Sequence, residues 1–280
     1  MELYLYRVKV FGPRNTQLFD KPFVPGRVLL AAIREHPTSR VYRGVSWHIG
    51  NVEAVDQSSV YFRLGRTSRA VVSQIDASTG NFVEQDFESA PYTHFLLDYD
   101  RELVAFMRRV SLAPTADAIA SRLLQVLASS RIAHELRCTF SIGPISNPDN
   151  FLEALKSAYA IRSFTFSVQR KNPFDVNKDF VDPFERLVEA TQARDGNVTV
   201  KGPALSEAPL EEIARSAAAT GDDARARVQL ASGASAVHRS LRGNVATISA
   251  DELDSVAGRQ AAISAARAQH DRIRDHDDST

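Results

Sequence analysis

The 280-residue chain has a single cysteine, Cys138, so neither an internal disulfide framework nor a thiolate zinc site can be built from it. A lone thiol suits a reducing compartment. Long apolar runs are missing as well: the longest, Val28 to Ile33, is far short of the roughly 20 residues that a helix needs to cross a bilayer. The opening MELYLYRVKV alternates and carries charge, unlike a signal peptide. A cytoplasmic protein is the expectation. Lysine is scarce, supplying only six of the 34 basic residues, and the formal net charge is zero. Any binding of a polyanion must therefore come from a local patch and not from a global field.

Familiar catalytic motifs are absent too. There is no Walker loop, no G-x-G-x-x-G after a strand and no G-x-S-x-G elbow. Seven histidines (36, 48, 94, 134, 238, 270 and 276) are scattered without an H-E-x-x-H or H-x-E pairing. His94, between Thr93 and Phe95 on a strand, reads as a hydrogen-bonded structural group. Asp98, Asp100 and Glu102 could line up as hard-metal ligands, but Tyr99-Asp100-Arg101 reads as a turn, where Asp bonds its own backbone. Pro148, Asp149, Glu153 and Lys156 have the residue types of a nuclease site at the wrong spacing, all on one helix. Asp149 and Glu153 there suit the dipole of the first turn. The reading is a protein that is not an enzyme and holds no cofactor or metal.

What is present is ordinary globular material, 44% hydrophobic and 24% charged, enough for one large domain or two ordinary ones. Glu2 to Phe11 alternates as a strand, with Leu3, Leu5 and Arg7 on one face. Arg27–Glu35 is a short helix. From Ser46 to Phe87, four strands separated by polar turns suggest an antiparallel meander. Tyr92–Asp98 and Glu102–Arg108 form a hairpin, and Pro114 opens a helix bearing Ile119, Leu123 and Leu127. Beyond it strands (Arg137–Ile142, Ser163–Gln169, Gly196–Lys201) alternate with helices from Asn147, Asp182, Ser206 and Asp251. The fold class is α+β: a strand-rich antiparallel domain over residues 1–132, a mixed strand and helix domain over 133–265, and a frayed acidic tail over 266–280.

Basic surface carries the functional argument. Residues 224–250 contain no Asp or Glu, although Asp222-Asp223 and Asp251-Glu252 bracket them. Arg225, Arg227 and Gln229 alternate there with Ala226, Val228 and Leu230, the period of a half-buried strand, so both arginines should share one face. A glycine-serine turn then leads to Arg239 and Arg242. Four arginines without local counterions suit phosphate binding. A solvated strand edge protected by charge is the plainer alternative. Arg170 and Lys171 end another strand, and Arg66 and Arg69 sit with hydroxyls in Gly65-Arg66-Thr67-Ser68-Arg69. Trp47 and the tyrosines do not interleave with arginine as in a single-strand groove, so a nucleic-acid ligand would be a duplex held by its backbone.

The hairpin YTHFLLDYDRELVAFMRR, the helix LAPTADAIASRLLQVL, then FSIGPI, FLEALKSAYA and SFTFSVQRKNP with Asn172-Pro173 follow in an order that resembles the RexA-type phage exclusion proteins. More distantly it resembles the RdgC nucleoid proteins. The likeness spans roughly residues 60 to 265; the acidic Asp275 to Asp278 departs from it. It implies a prophage-encoded, homodimeric, sequence-nonspecific binder of double-stranded DNA in phage exclusion (abortive infection, antiviral defence). It also implies a small multi-pass membrane partner (RexB-like). The residue-by-residue reading leaves two alternatives: a structural or interaction protein of phage origin, and a metal-dependent nuclease built on Asp98 and Glu102.

Overall fold

The computed structural model describes residues 1–12, 23–40, 45–169, 191 and 195–274, leaving aside the side chains of 40, 69–72, 85–87, 168, 169 and 195. The fold is α+β with antiparallel sheets. In chain order the first elements are β1 (Glu2–Phe11), α1 (Pro25–Arg34), β2 (Thr38–Arg40), β3 (Ser46–Ala54), β4 (Ser59–Arg66), β5 (Ser68–Ile75) and β6 (Phe82–Ser89). Next are β7 (Tyr92–Asp98), β8 (Leu103–Met107), α2 (Ala116–Ala128), α3 (Arg131–Glu135), β9 (Thr139–Pro144), α4 (Asp149–Lys156) and β10 (Ala160–Gln169). The last are β11 (Asp195–Lys201), α5 (Glu207–Thr220), β12 (Ala224–Gln229), β13 (Val237–Ser240), β14 (Thr247–Ser249) and α6 (Val256–Arg274). The helix read from Asp182 lies outside the described residues.

The large sheet runs β14-β1-β8-β7-β4-β3-β2, with β9 also on β1. Strict alternation in β1 sends Tyr6, Val8 and Val10 to one face and Leu3 and Leu5 to the other, and all five are buried. On the first face Phe95 stacks between Phe62 and Phe106, with centroids 5.1 and 4.8 Å away. Leu29 and Ile33 of α1 and Ile119 and Leu123 of α2 close this core. Gly26 is required where α1 begins, because a Cβ there would lie 2.2 Å from the Tyr99 carbonyl oxygen. Thr115 caps α2 by accepting from the Ala118 N–H. The first amides of α3 are capped from a distance, with the Glu35 carboxylate accepting from Arg131 N at 2.7 Å and Ile132 N at 3.2 Å.

The second face of the sheet shares one apolar cluster with α4, α5, α6 and the inner side of a four-stranded sheet, β11-β10-β12-β13. Residues 133–265 are thus interleaved with the first 132. The outer edge of β1 is filled by β9 from Tyr6 to Phe11 and by β14 from Glu2 to Tyr4. Helix α6 starts at Val256 and runs to Arg274, with His270 and Ile273 buried, so residues 266–274 are helical and packed; the rest of the tail lies outside the described residues.

The meander read over Ser46–Phe87 is interrupted. β4 pairs with β3 and β7, while β5 and β6 leave the sheet and pair only with each other. This arm ends in a turn held by Asp76, whose carboxylate accepts from Ser78 N, Ser78 Oγ and Thr79 Oγ1 and is thereby pushed below the usual carboxyl range. At its tip Ile75 and Phe82 are 64% and 79% exposed.

Buried charge ties the layers together. Lys9 Nζ meets Asp222 at 3.0 Å with both side chains buried, and Arg7 faces Glu102 at 3.7 Å. Arg267 of α6 donates to Asp98, to Asp56 and to Ser58 Oγ. The nearly inaccessible Asp98 also accepts from the Asp100 and Arg101 amides. Arg101 returns to α6 through Asp271 at 2.7 Å. Asp98, Asp100 and Glu102 therefore serve a turn and ion pairs, and no group of three or more His, Cys, Asp or Glu among the described residues is placed to hold a metal. No described helix is long and apolar enough to cross a membrane.

Two outcomes follow. Arg267→Ala strands the buried Asp98 carboxylate and is expected to cost about 3–5 kcal/mol, measured by denaturant unfolding. His270, which bonds the Ala219 carbonyl, is pushed below the ordinary histidine pKa by burial and then by the Arg7 charge. The unfolded chain takes up that proton below about pH 6.5 while the folded protein resists it. Stability should therefore be full above about pH 6.5 and fall as pH drops toward the folded pKa. Burial lowers His94 in the same direction. Unfolding midpoints at neutral and mildly acidic pH should differ in the native protein and differ less in His270→Gln.

Candidate polyanion-binding face

The four-stranded sheet has one covered side and one open side, and the sequence of β12 explains why. Ala224, Ala226 and Val228 are fully buried, whereas Arg225 and Arg227 between them are exposed. Phe164 and Phe166 of β10 share the covered side, against α5. Cross-strand partners in a sheet point the same way. The register therefore writes out the open side as two polar rows. One is Lys201, Ser163, Arg227 and His238; the other is Thr199, Thr165, Arg225 and Ser240. Asn197 and Ser167 continue it. Neighbouring strands lie roughly 4.8 Å apart, so Lys201 and Arg227, two strands apart, stand about 10 Å from each other at the backbone.

No carboxylate lies in either row. Arg227 and Lys201 are exposed and have no ion-pair partner among the described residues. Ser163 stands between them, and in the neighbouring row Thr165 Oγ1 and Thr199 Oγ1 are hydrogen-bonded at 2.9 Å. At the end of the second row stands Asp223, whose carboxylate binds Arg225 Nε at 2.9 Å and lies 3.8 Å from Arg242 Nε. That corrects the expectation of four arginines without a local counterion: the acid that precedes the acid-free stretch turns back onto it. Arg162 sits at a bulge in β10 and is occupied by Gln229 Oε1 and the Pro203 carbonyl.

The eight residues singled out from sequence thus divide. Arg225, Arg227 and Arg242 come together. Arg239 does not share their face, because it pairs with Ala226 and takes that residue's parity, although it is exposed on the edge strand. Arg66 belongs to the large sheet, half-buried, with Nη2 donating to the Ser111 carbonyl at 3.0 Å. Arg69 lies on the β5–β6 arm opposite Glu88. Arg170 and Lys171 lie outside the described residues. Lys201 is the cation that sequence reading missed. It is isolated in the chain, and only the β10–β11 pairing brings it beside Arg227; its place at the end of an alternating strand was the available signal. Trp47 is buried and offers no stacking surface.

No protein-family model matches the chain, and no curated protein sequence does.

The electrostatics give a direct outcome. Asp223→Asn removes the negative charge that Arg225 and Arg242 share, so the variant should elute from immobilised heparin at higher salt than the native protein. Unchanged elution would place the polyanion elsewhere.

Proposed function

We propose that the open face of the β11-β10-β12-β13 sheet binds double-stranded DNA through its phosphates, without reading base sequence and without catalysis. One observation carries the reading: a carboxylate-free row in which Lys201, Ser163, Arg227 and His238 stand side by side on four strands. Cations with interspersed hydroxyls suit phosphate oxygens. The rows contain no Phe, Tyr or Trp on which successive unpaired bases could stack, which favours a duplex over a single strand.

The likeness to RexA-type proteins extends the proposal to phage exclusion by a prophage-encoded homodimer acting with a small multi-pass membrane protein. A second reading, an interaction protein of phage origin, is favoured by a separate observation, the exposed tip of the β5–β6 arm.

Titration of labelled duplexes of unrelated sequence at two salt concentrations separates the two. Arg225→Ala, Arg227→Ala and Lys201→Ala should each weaken binding similarly on every duplex and flatten the salt dependence by roughly one unit of slope. Absence of binding at low salt, or binding to one sequence alone, overturns the proposal. In a host carrying the chain and its genomic neighbours, the Arg225→Ala plus Arg227→Ala variant should restore phage plating.

A further inference from the structure

Where α4, α5 and α6 meet, on the covered side of the small sheet, the helices leave a cleft of about 250 Å³. That is just below the roughly 300–1,000 Å³ of sites that take drug-sized ligands, so size selects a small metabolite. Asn147 and Asp149 wall the cleft at the start of α4, Arg215 does so from α5, and Gln269, Arg272 and Ile273 from the end of α6. The polar groups of this wall are largely unspent. The side chains of Arg272, Gln269 and Asp149 make no hydrogen bond or ion pair among the described residues. Arg215, by contrast, gives Nε and Nη2 to Glu211 at 3.2 and 3.0 Å, which leaves Nη1. Asn147 Oδ1 accepts from the Asp149 N–H at 3.0 Å, which orients the carboxamide and leaves that oxygen a second lone pair. One free cation on α6 and one free carboxylate on α4 thus share a cleft without pairing across it. A ligand of a single sign would be drawn to one of them and repelled by the other. A ligand that carries both signs a few bonds apart satisfies both.

We propose that this cleft binds a free α-amino acid in its zwitterionic form. The α-carboxylate goes to Arg272, with Gln269 Nε2 and Arg215 Nη1 as further donors. The α-ammonium goes to the Asp149 carboxylate and to Asn147 Oδ1. A guanidinium can take a carboxylate through two parallel hydrogen bonds, and an ammonium brings three donors and no acceptor to a wall of oxygens. Each end of the ligand is therefore matched in hydrogen-bonding type as well as in charge. The cleft and the open face lie on opposite sides of the small sheet, so this assignment stands apart from the DNA reading.

Thermal unfolding with the common L-amino acids, added one at a time at millimolar concentration, tests the site. A ligand that binds only the folded state raises the midpoint by mass action, and at least one amino acid should do so. Calorimetric titration then gives its Kd. The des-amino analogue, which lacks the ammonium, and the α-amide, which lacks the carboxylate, should each bind at least about tenfold more weakly. Asp149 and Arg272 are exposed, so Asp149→Asn and Arg272→Gln should unfold at the native midpoint when no ligand is present. Asp149→Asn should weaken the amino acid about tenfold and leave the des-amino analogue nearly unchanged. Arg272→Gln should weaken the amino acid as much and leave the α-amide nearly unchanged. A midpoint that no amino acid raises, a des-amino analogue that binds as tightly as its parent, or a Kd that neither variant changes overturns the proposal.

Discussion

β1 is flanked by strands on both edges and packed on both faces, so its buried charged side chains must find their partners inside the protein. β8 pairs along one edge, while β14 and then β9 fill the other. One face meets the helices α1 to α3 and the other meets the C-terminal elements. Arg7 and Lys9 fall on the second face by simple alternation, and the chain supplies Glu102 and Asp222 from 95 and 213 positions away. An unpaired charge at such depth costs several kcal/mol. The two acids therefore constrain where the β7–β8 turn and the end of α5 can lie, and through them where α6 and the small sheet can pack. Lys9 holds Asp222, and the next residue, Asp223, opens β12.

That chain of contacts bears on the candidate face. The small sheet has its apolar side on α4 and α5, which leaves the alternate residues of β10, β11 and β12 outward, with no element packed over them among the described residues. The two outward rows hold Ser, Thr, Lys and Arg on these strands; the inward positions between them are Ala, Val and Phe. The same pleat that builds the core thus builds the open surface. Asp223 links the two roles: its backbone carbonyl accepts from Ser167 N and Oγ, and its carboxylate steadies Arg225.

Much of this was legible in residue order. Alternation identified β1, β12 and the covered and open sides of β12, because a period of two survives in any sheet that buries one face. The amphipathic helices α1, α2 and α5 were readable from their apolar spacing. What escaped notice depends on partners that are distant in sequence. The departure of β5 and β6 from the meander was invisible, since their local pattern is that of any hairpin. Arg239 was grouped with Arg225 because both lie in one acid-free stretch; its face is decided by the β12–β13 register, which the intervening turn sets. Lys201 joined the site because it and Arg227 pair with opposite edges of the same β10 residue, Ser163, which is distant from both in sequence. Asp223 was recognised as a bracket but not as a counterion, because nothing local says that its carboxylate turns back.

The pairing of Glu2–Tyr4 with Thr247–Ser249 has a kinetic meaning. On the ribosome, the first strand emerges long before its last neighbour is made. During that interval the backbone donors and acceptors of this edge have no partner, and an open edge is a template for stray pairing with other chains. Closing a loop of some 245 residues is among the slowest kinds of contact a chain makes. The first strand of the large sheet thus depends for part of its edge on residues made near the end of synthesis, and a nascent chain carries that edge open until β14 exists.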